Sequence, residues 1–261
     1  MSSLPILLAP LLAAASAAPA DLNLRLTTEA TNFSKDFGKR RETTLESTFD
    51  LGATKLVMGG SHGRRSYADE SYSGYQAKGT AYHDWTDRLS SKTSIGAASN
   101  SPVFARRELA QDFSYKLLPN TLVTVGARYA NYFGDTDVIS WSAGASWYFR
   151  GGFASYRFSR HDVDKLGNGV GHLATIRLRD PNGSGHTQAW LSAGTTLHEG
   201  EAIGLGNRGN YRGVHVQRVQ PIAGPIGVSM GVGRTWYETN AAQYHGTQAT
   251  IGLAVSGWPR L

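Results

Sequence analysis

The stretch from Thr121 to Arg160 leaves few folds open to this chain. It reads TLVTVGARYANYF, GDTD, VISWSAGASWYF, RGG and FASYRFSR. Each of the three longer pieces alternates. Val123, Val125, Ala127, Tyr129 and Phe133 share one face, opposite Thr124, Gly126, Arg128 and Ala130. Ile139, Trp141, Ala143, Ala145, Trp147 and Phe149 oppose Ser140, Ser142, Gly144, Ser146 and Tyr148. Ala154, Tyr156 and Phe158 oppose Ser155, Arg157 and Ser159. A period of two is the strand period. Short joins rich in Gly and Asp put such strands side by side and antiparallel.

Length then separates two kinds of strand. Segments of about 10–12 residues exceed the usual soluble strand of about 5–6. They match a tilted membrane-crossing strand of about 9–11. One face is apolar, with aromatics near the strand ends. The other is small and polar, with isolated arginines. This is the pattern of a barrel that is greasy outside and wet inside. On that reading Trp141, Trp147, Tyr156, Phe158 and Trp236 meet lipid. A soluble sandwich alternates equally well but with the faces reversed.

The alternation extends in both directions. Leu22, Leu24 and Leu26 open it, and Ile251, Leu253 and Val255 close it before Trp258. Weaker segments run through Tyr75–Ala81 and Thr93–Ala97. The count is fourteen segments, or twelve if the weak ones merge. The expectation is an all-β fold: one antiparallel up-and-down transmembrane β-barrel, without a second domain. Gly52-Ala53, Trp85 to Arg88, Pro119-Asn120, Arg150 to Gly152, Asp180 to Gly185 and Pro221 to Pro225 then fall at the end carrying both termini. Lys35 to Arg40, Asp162 to Gly169 and Glu199 to Asn210 fall at the other. Short turns on the periplasmic side and longer ones outside are the expected asymmetry.

The first residues differ from the rest. Ile6 to Ala15 is an apolar core broken by Pro10, and Ala15-Ser16-Ala17 and Ala18-Pro19-Ala20 both fit a small-residue cleavage rule. Residues 1–20 are therefore expected to be a signal peptide removed after Ala20, with the barrel at 21–261. No Lys or Arg precedes the apolar core, which departs from the usual signal. Beyond Ala20 no apolar run approaches the roughly 18 residues of a membrane helix, so any span must be β. The chain has no cysteine, which excludes disulfides and thiolate metal sites. The formal charge is +6, with charges scattered along the chain.

Two motifs look catalytic and fail on context. Gly227-Val228-Ser229-Met230-Gly231 matches the G-x-S-x-G elbow, which needs a strand-to-helix turn; here the serine sits mid-strand. Gly204-Leu205-Gly206-Asn207-Arg208-Gly209 matches G-x-G-x-x-G, which needs a helix after it; here it lies in a loop between strands. The histidines are dispersed and form no metal-binding pair at strand spacing. Asp112, Ser159 and His161 can be assembled on paper, but nothing forces them together. No enzyme, cofactor or metal is expected.

The functional candidates are the charges on the polar face: Glu108, Asp112, Lys116, Arg128, Arg157, Arg177 and Arg179. Mutual pairing is the favoured reading, since interior polar groups need partners. The competing one is an electropositive path, because rings of basic side chains select anions.

From about Pro102 to Trp258 the chain resembles the YaiO family of outer-membrane β-barrels. The matching features are Leu117-Leu118-Pro119-Asn120, then Val125-Gly126-Ala127-Arg128-Tyr129 with Tyr132-Phe133, the Trp147-Tyr148-Phe149 strand end and the Gly-rich closing strands. The resemblance implies an outer-membrane barrel in a Gram-negative envelope and carries over no catalytic residue; the leading expectation for function is a pore-forming or transport-related barrel. The implied partners are outer-membrane lipid, lipopolysaccharide and the barrel-assembly machinery. A polysaccharide or small anionic solute is the expected cargo, and no nucleic acid is expected. Barrels of this kind usually end on an aromatic that the assembly machinery reads, whereas this sequence ends Trp258-Pro259-Arg260-Leu261: either Trp258 serves, or the last residues disturb recognition. A closed barrel presenting loops, and a secreted soluble barrel holding a ligand, are the alternatives.

Overall fold

A computed structural model describes residues 22–67, 70–99, 101–164, 167–181, 185–195, 209–240 and 242–256. The expected signal peptide, Trp258 and most of the Gly204–Gly209 motif lie outside them. The strands are β1 (Leu22–Phe33), β2 (Lys39–Asp50), β3 (Thr54–Tyr67), β4 (Glu70–Asp84), β5 (Leu89–Ala98), β6 (Arg107–Leu118) and β7 (Thr121–Tyr132). They continue as β8 (Thr136–Phe149), β9 (Gly152–Val163), β10 (Gly167–Arg179), β11 (His186–Thr195), β12 (Gly209–Ala223), β13 (Ile226–Thr239) and β14 (Gln243–Val255). Fourteen strands are therefore present, including both weak segments.

Every strand pairs antiparallel with its sequence neighbours, and β1 closes the ring on β14 from Leu24↔Val255 to Phe33↔Gly246. Closure satisfies the backbone groups that an open sheet edge would leave bare. This explains how a chain without disulfides or helical spans can cross a bilayer. The even strand number brings β1 and β14 to one end, called here the terminal end.

The faces separate as the alternation requires. Trp141 is 63% exposed, whereas Ser140 beside it is buried. Val125, Leu191, Val232 and Ile251 are likewise exposed on the outer surface. The inner parity carries Thr124, Arg128, Ser142, Arg157 and Gln188.

One expectation fails in part. The inner face is polar only toward the terminal end. At the distal end it is packed with apolar side chains. Phe33, Tyr237 and Tyr244 are buried together, with Phe37 and Tyr211 against them. Phe37 and Tyr244 stack with centroids 3.9 Å apart, and Tyr237 and Tyr244 at 4.7 Å. The Arg65 guanidinium lies 4.1 Å from the Phe33 centroid. Around the ring, Val138 and Val163 are fully buried against Tyr132.

The connection between β5 and β6 adds to this filling. Val103, Phe104 and Ala105 are buried, because the segment folds inward onto β3 and β4. Gly63 makes room for it: a Cβ there would stand 2.6 Å from Val103 Cγ1 and 2.7 Å from Phe104 Cζ. The segment is pinned at its ends. Tyr75 N donates to Ser99 Oγ at 3.0 Å, Arg106 N donates to Asn131 O at 2.7 Å, and Arg106 pairs with Asp135 at 2.6 Å.

Candidate functional site in the lumen

Strand parity points the seven charged candidates, Glu108, Asp112, Lys116, Arg128, Arg157, Arg177 and Arg179, into the lumen, but they fall into different environments. Glu108 on β6 accepts from Lys78 on β4 at 3.1 Å and from Arg128 on β7 at 3.3 Å. Arg128 also donates to Tyr132 Oη at 3.3 Å. Asp112 on β6 takes a two-pronged contact from Arg157 on β9, at 3.3 and 3.2 Å. Two strands separate these partners, so the bond runs through the inside of the curved wall. Gly126 on β7 permits it, since a Cβ there would collide with Asp112 Oδ1. A fork-to-carboxylate pair of this kind fixes direction as well as charge. Lys116 sits exposed at the terminal end of β6.

Arg177 and Arg179 near the terminal end of β10 behave differently. Arg177 Nε donates to the neutral Gln188 at 2.6 Å, and its guanidinium lies 5.2 Å from the Phe153 centroid. Arg179 and Arg25 act on Arg177 with the same sign of charge, and all three act on His186. His186 is the register partner of Arg179. The inner face therefore bears a basic cluster at the terminal mouth. Just outside the strands, Asp180 accepts from Arg218 Nη1 at 2.7 Å. That hydrogen bond holds the Asp180 carboxyl below its ordinary range.

Between mouth and plug lies a cavity of about 530 Å³. β1 and β2 form one wall with Arg25, Glu29 and Glu46, and β10 to β14 form the other with Trp190, His215, Gln217 and Gln248. A volume of a few hundred Å³ suits a small organic ligand.

Among the described residues, the Asp112, Ser159 and His161 set does not assemble. Asp112 is engaged by Arg157, and His161 Nδ1 shares a 2.8 Å hydrogen bond with Ser140 Oγ. Ser229 is buried on the inner face in the middle of β13, without the turn that an elbow requires. The outer surface carries Trp141, Trp147, Tyr156, Phe158 and Trp236, all substantially exposed. His172 joins them there, bonded at 2.7 Å to Tyr156 Oη.

Sequence reasoning missed Lys78 and the distal plug. Parity was the available signal for the plug. Phe33 continues the inward series Arg25, Thr27, Glu29 and Thr31. Tyr237 continues the glycine series of β13. A large aromatic on the polar parity at a strand end marks a filled mouth.

Fourteen closed strands with an apolar exterior define a transmembrane β-barrel. The model of the YaiO membrane beta barrel domain matches residues 22–199, and the chain belongs to that family. Among solved structures, the CymD monoaromatic hydrocarbon channel is similar, with a TM-score of 0.63 and 9% identity over 91% of this chain and 88% of that one. OprD of Pseudomonas aeruginosa has a TM-score of 0.50 and 11% identity over 94% and 98%. OpdO of the same organism has a TM-score of 0.50 and 10% identity over 92% and 97%. At such identities the likeness speaks for the fold.

Proposed function

We propose that the protein is a transport-related barrel of the outer membrane that admits a hydrophilic solute into its lumen. The observation that carries this is the cavity of about 530 Å³, lined with polar side chains and enclosed by a wall whose outer surface is apolar. On this reading the exposed aromatics sit against lipid, and lipopolysaccharide surrounds the distal end. The chain is delivered after cleavage following Ala20 and inserted by the assembly machinery. The lumen works by position and charge, and no step of covalent chemistry is assigned to it.

Arg177 and Arg179, with a smaller share from Arg25 beside Glu46, raise the local concentration of anions at the terminal mouth. Low-dielectric walls focus such a field, and basic rings favour anions over cations. Arg128 and Arg157 do not contribute to this, because Glu108 and Asp112 neutralise them. Reconstitution in a planar bilayer tests the reading. Small, anion-preferring conductance steps are expected. A flat baseline from protein shown to be folded and inserted overturns it.

A second reading has one specific observation in its favour. The distal plug buries Phe33, Val103, Phe104, Val138, Val163, Tyr237 and Tyr244 where a pore would open. A closed barrel that displays its distal connections to partners needs such a seal. Conductance that stays absent after Tyr244→Ala and Phe37→Ala favours this second reading.

A further inference from the structure

We infer that the lumen holds a binding site for a neutral saccharide, built on Trp190 of β11. Trp190 faces inward, and its indole is not buried. It sits among small polar neighbours, with Ser192 on its own strand and Thr175 opposite on β10. His215, its partner on β12, meets it edge-on with centroids 5.1 Å apart. His215 is itself held from behind. A Cβ at Gly231 would stand 2.9 Å from His215 Nε2, and one at Gly233 would stand 2.6 Å from Nδ1. The glycines of β13 thus create a slot for the imidazole, and the imidazole props the indole. An aromatic fixed on regular strands is a rigid platform, which reduces the ordering cost of binding.

The surroundings decide what such a platform takes. Gln217 and Gln248 present amides that both donate and accept. Across the cavity, Arg25 and Glu46 are direct partners in the β1–β2 register. Opposite charges side by side attract neither an anion nor a cation strongly, and Glu29 on the same wall is itself engaged, yet Arg25 and Glu46 each offer hydrogen bonds to hydroxyls. An apolar plate ringed by two-way donors and acceptors fits a pyranose, which has an apolar C–H face and a hydroxyl rim. The volume of about 530 Å³ holds a short oligosaccharide. This names the solute class for the transport reading and rests on that reading for the route, but not for the binding itself.

The test uses the full barrel, folded in detergent. Tryptophan fluorescence is followed against maltotriose and triacetylchitotriose, with trigalacturonate and free arginine as charged probes. With Trp85→Phe and Trp258→Phe as the background and Trp141, Trp147 and Trp236 on the outer surface, a saturable change reports the lumen. At least one neutral trisaccharide is expected to bind, with neither charged probe competing. Calorimetry of Trp190→Ala is expected to show binding weakened about tenfold, as for loss of one aromatic contact, with Trp190→Phe retaining part. Silence from both neutral sugars, stronger binding of a charged probe, or full affinity in Trp190→Ala overturns the inference. Bilayer recording on the same preparation separates the two claims. Conductance without sugar binding defeats the site and leaves transport standing. Sugar binding without conductance does the reverse.

Discussion

The two halves of the lumen are built from the same strands and follow opposite rules. Toward the terminal end the inner face is wet, charged and spacious, with Arg25, Glu46, Trp190 and His215 around a cavity. Toward the distal end it is dry, with Phe33, Tyr237 and Tyr244 packed together and the infolded Val103–Ala105 segment buried against Gly63. Parity along each strand does not change between the halves; only the residue types on the inner parity change. One wall can therefore provide both a binding chamber and a seal. The distal half resembles the core of a soluble protein and should contribute stability. The terminal half should contribute selectivity.

The largest expected effect tests the distal half as a core. Phe104→Ala removes a buried aromatic and should cost about 3 kcal/mol, in the range for large-to-small core changes. Urea unfolding in lipid vesicles measures it. A cost no greater than that of an exposed outer-surface change would erase the distinction between the halves. In bilayers the same variant should raise conductance by thinning the seal.

The ion pair joining β6 to β9 comes next. Asp112→Ala and Arg157→Ala should each cost about 2 kcal/mol, less than for a fully buried pair because lumen water screens the charges. Asp112 keeps 16% of its side-chain surface exposed and Arg157 keeps 37%. A double-mutant cycle is the measurement. Additive losses would mean that the pair is incidental to the wall.

The terminal mouth should respond in selectivity rather than stability. Arg25→Ser with Arg177→Ser and Arg179→Ser should lower anion preference severalfold in dilute salt, and by less at high salt, where screening is strong. Reversal potentials across a salt gradient report it. Arg157→Ser combined with Asp112→Asn should leave ion preference largely unchanged at this mouth, because the pair carries no net charge. An effect from this double variant equal to that of the mouth arginines would remove the division between paired and unpaired arginines.

The smallest effect belongs to Asp180. Its carboxyl is depressed by the hydrogen bond from Arg218, so it binds protons more readily in the unfolded chain. Its contribution is fully present above the unfolded carboxylate value and is lost as pH falls through the folded one. Thermal melts of the wild type and Asp180→Asn should differ slightly at neutral pH and converge in acid. A gap that persists in acid would place the effect elsewhere than in this titration.

Much of this was legible before any coordinates. The face assignments of Val125, Trp141, Arg128 and Arg157 follow from a period of two, which the strand backbone imposes locally. The terminal-end turns at Pro119-Asn120 and Asp180–Gly185 follow from residues that favour tight reversals. The separation of Arg128 and Arg157 from Arg177 and Arg179 was not legible. Arg157 and Asp112 are 45 positions apart, with two strands between them. Only the curvature of a closed wall brings their side chains together, and Gly126 helps to clear the way.

The sequence by itself determined that this chain forms long antiparallel strands with an apolar and a polar face, and so a membrane barrel of the YaiO kind. Alternation and strand length carry the strands and their faces, and the family resemblance rests on motifs such as Leu117-Leu118-Pro119-Asn120 and Trp147-Tyr148-Phe149. Tertiary structure alone decided that the β5–β6 connection turns inward onto Gly63, that Phe37 meets Tyr244, and that Trp190 rests on His215. The first two join connections to strands beyond their own hairpins, and the third pairs neighbouring strands whose register only the closed sheet fixes. They depend on how the sheet closes and how wide the closed ring is, which no local pattern encodes.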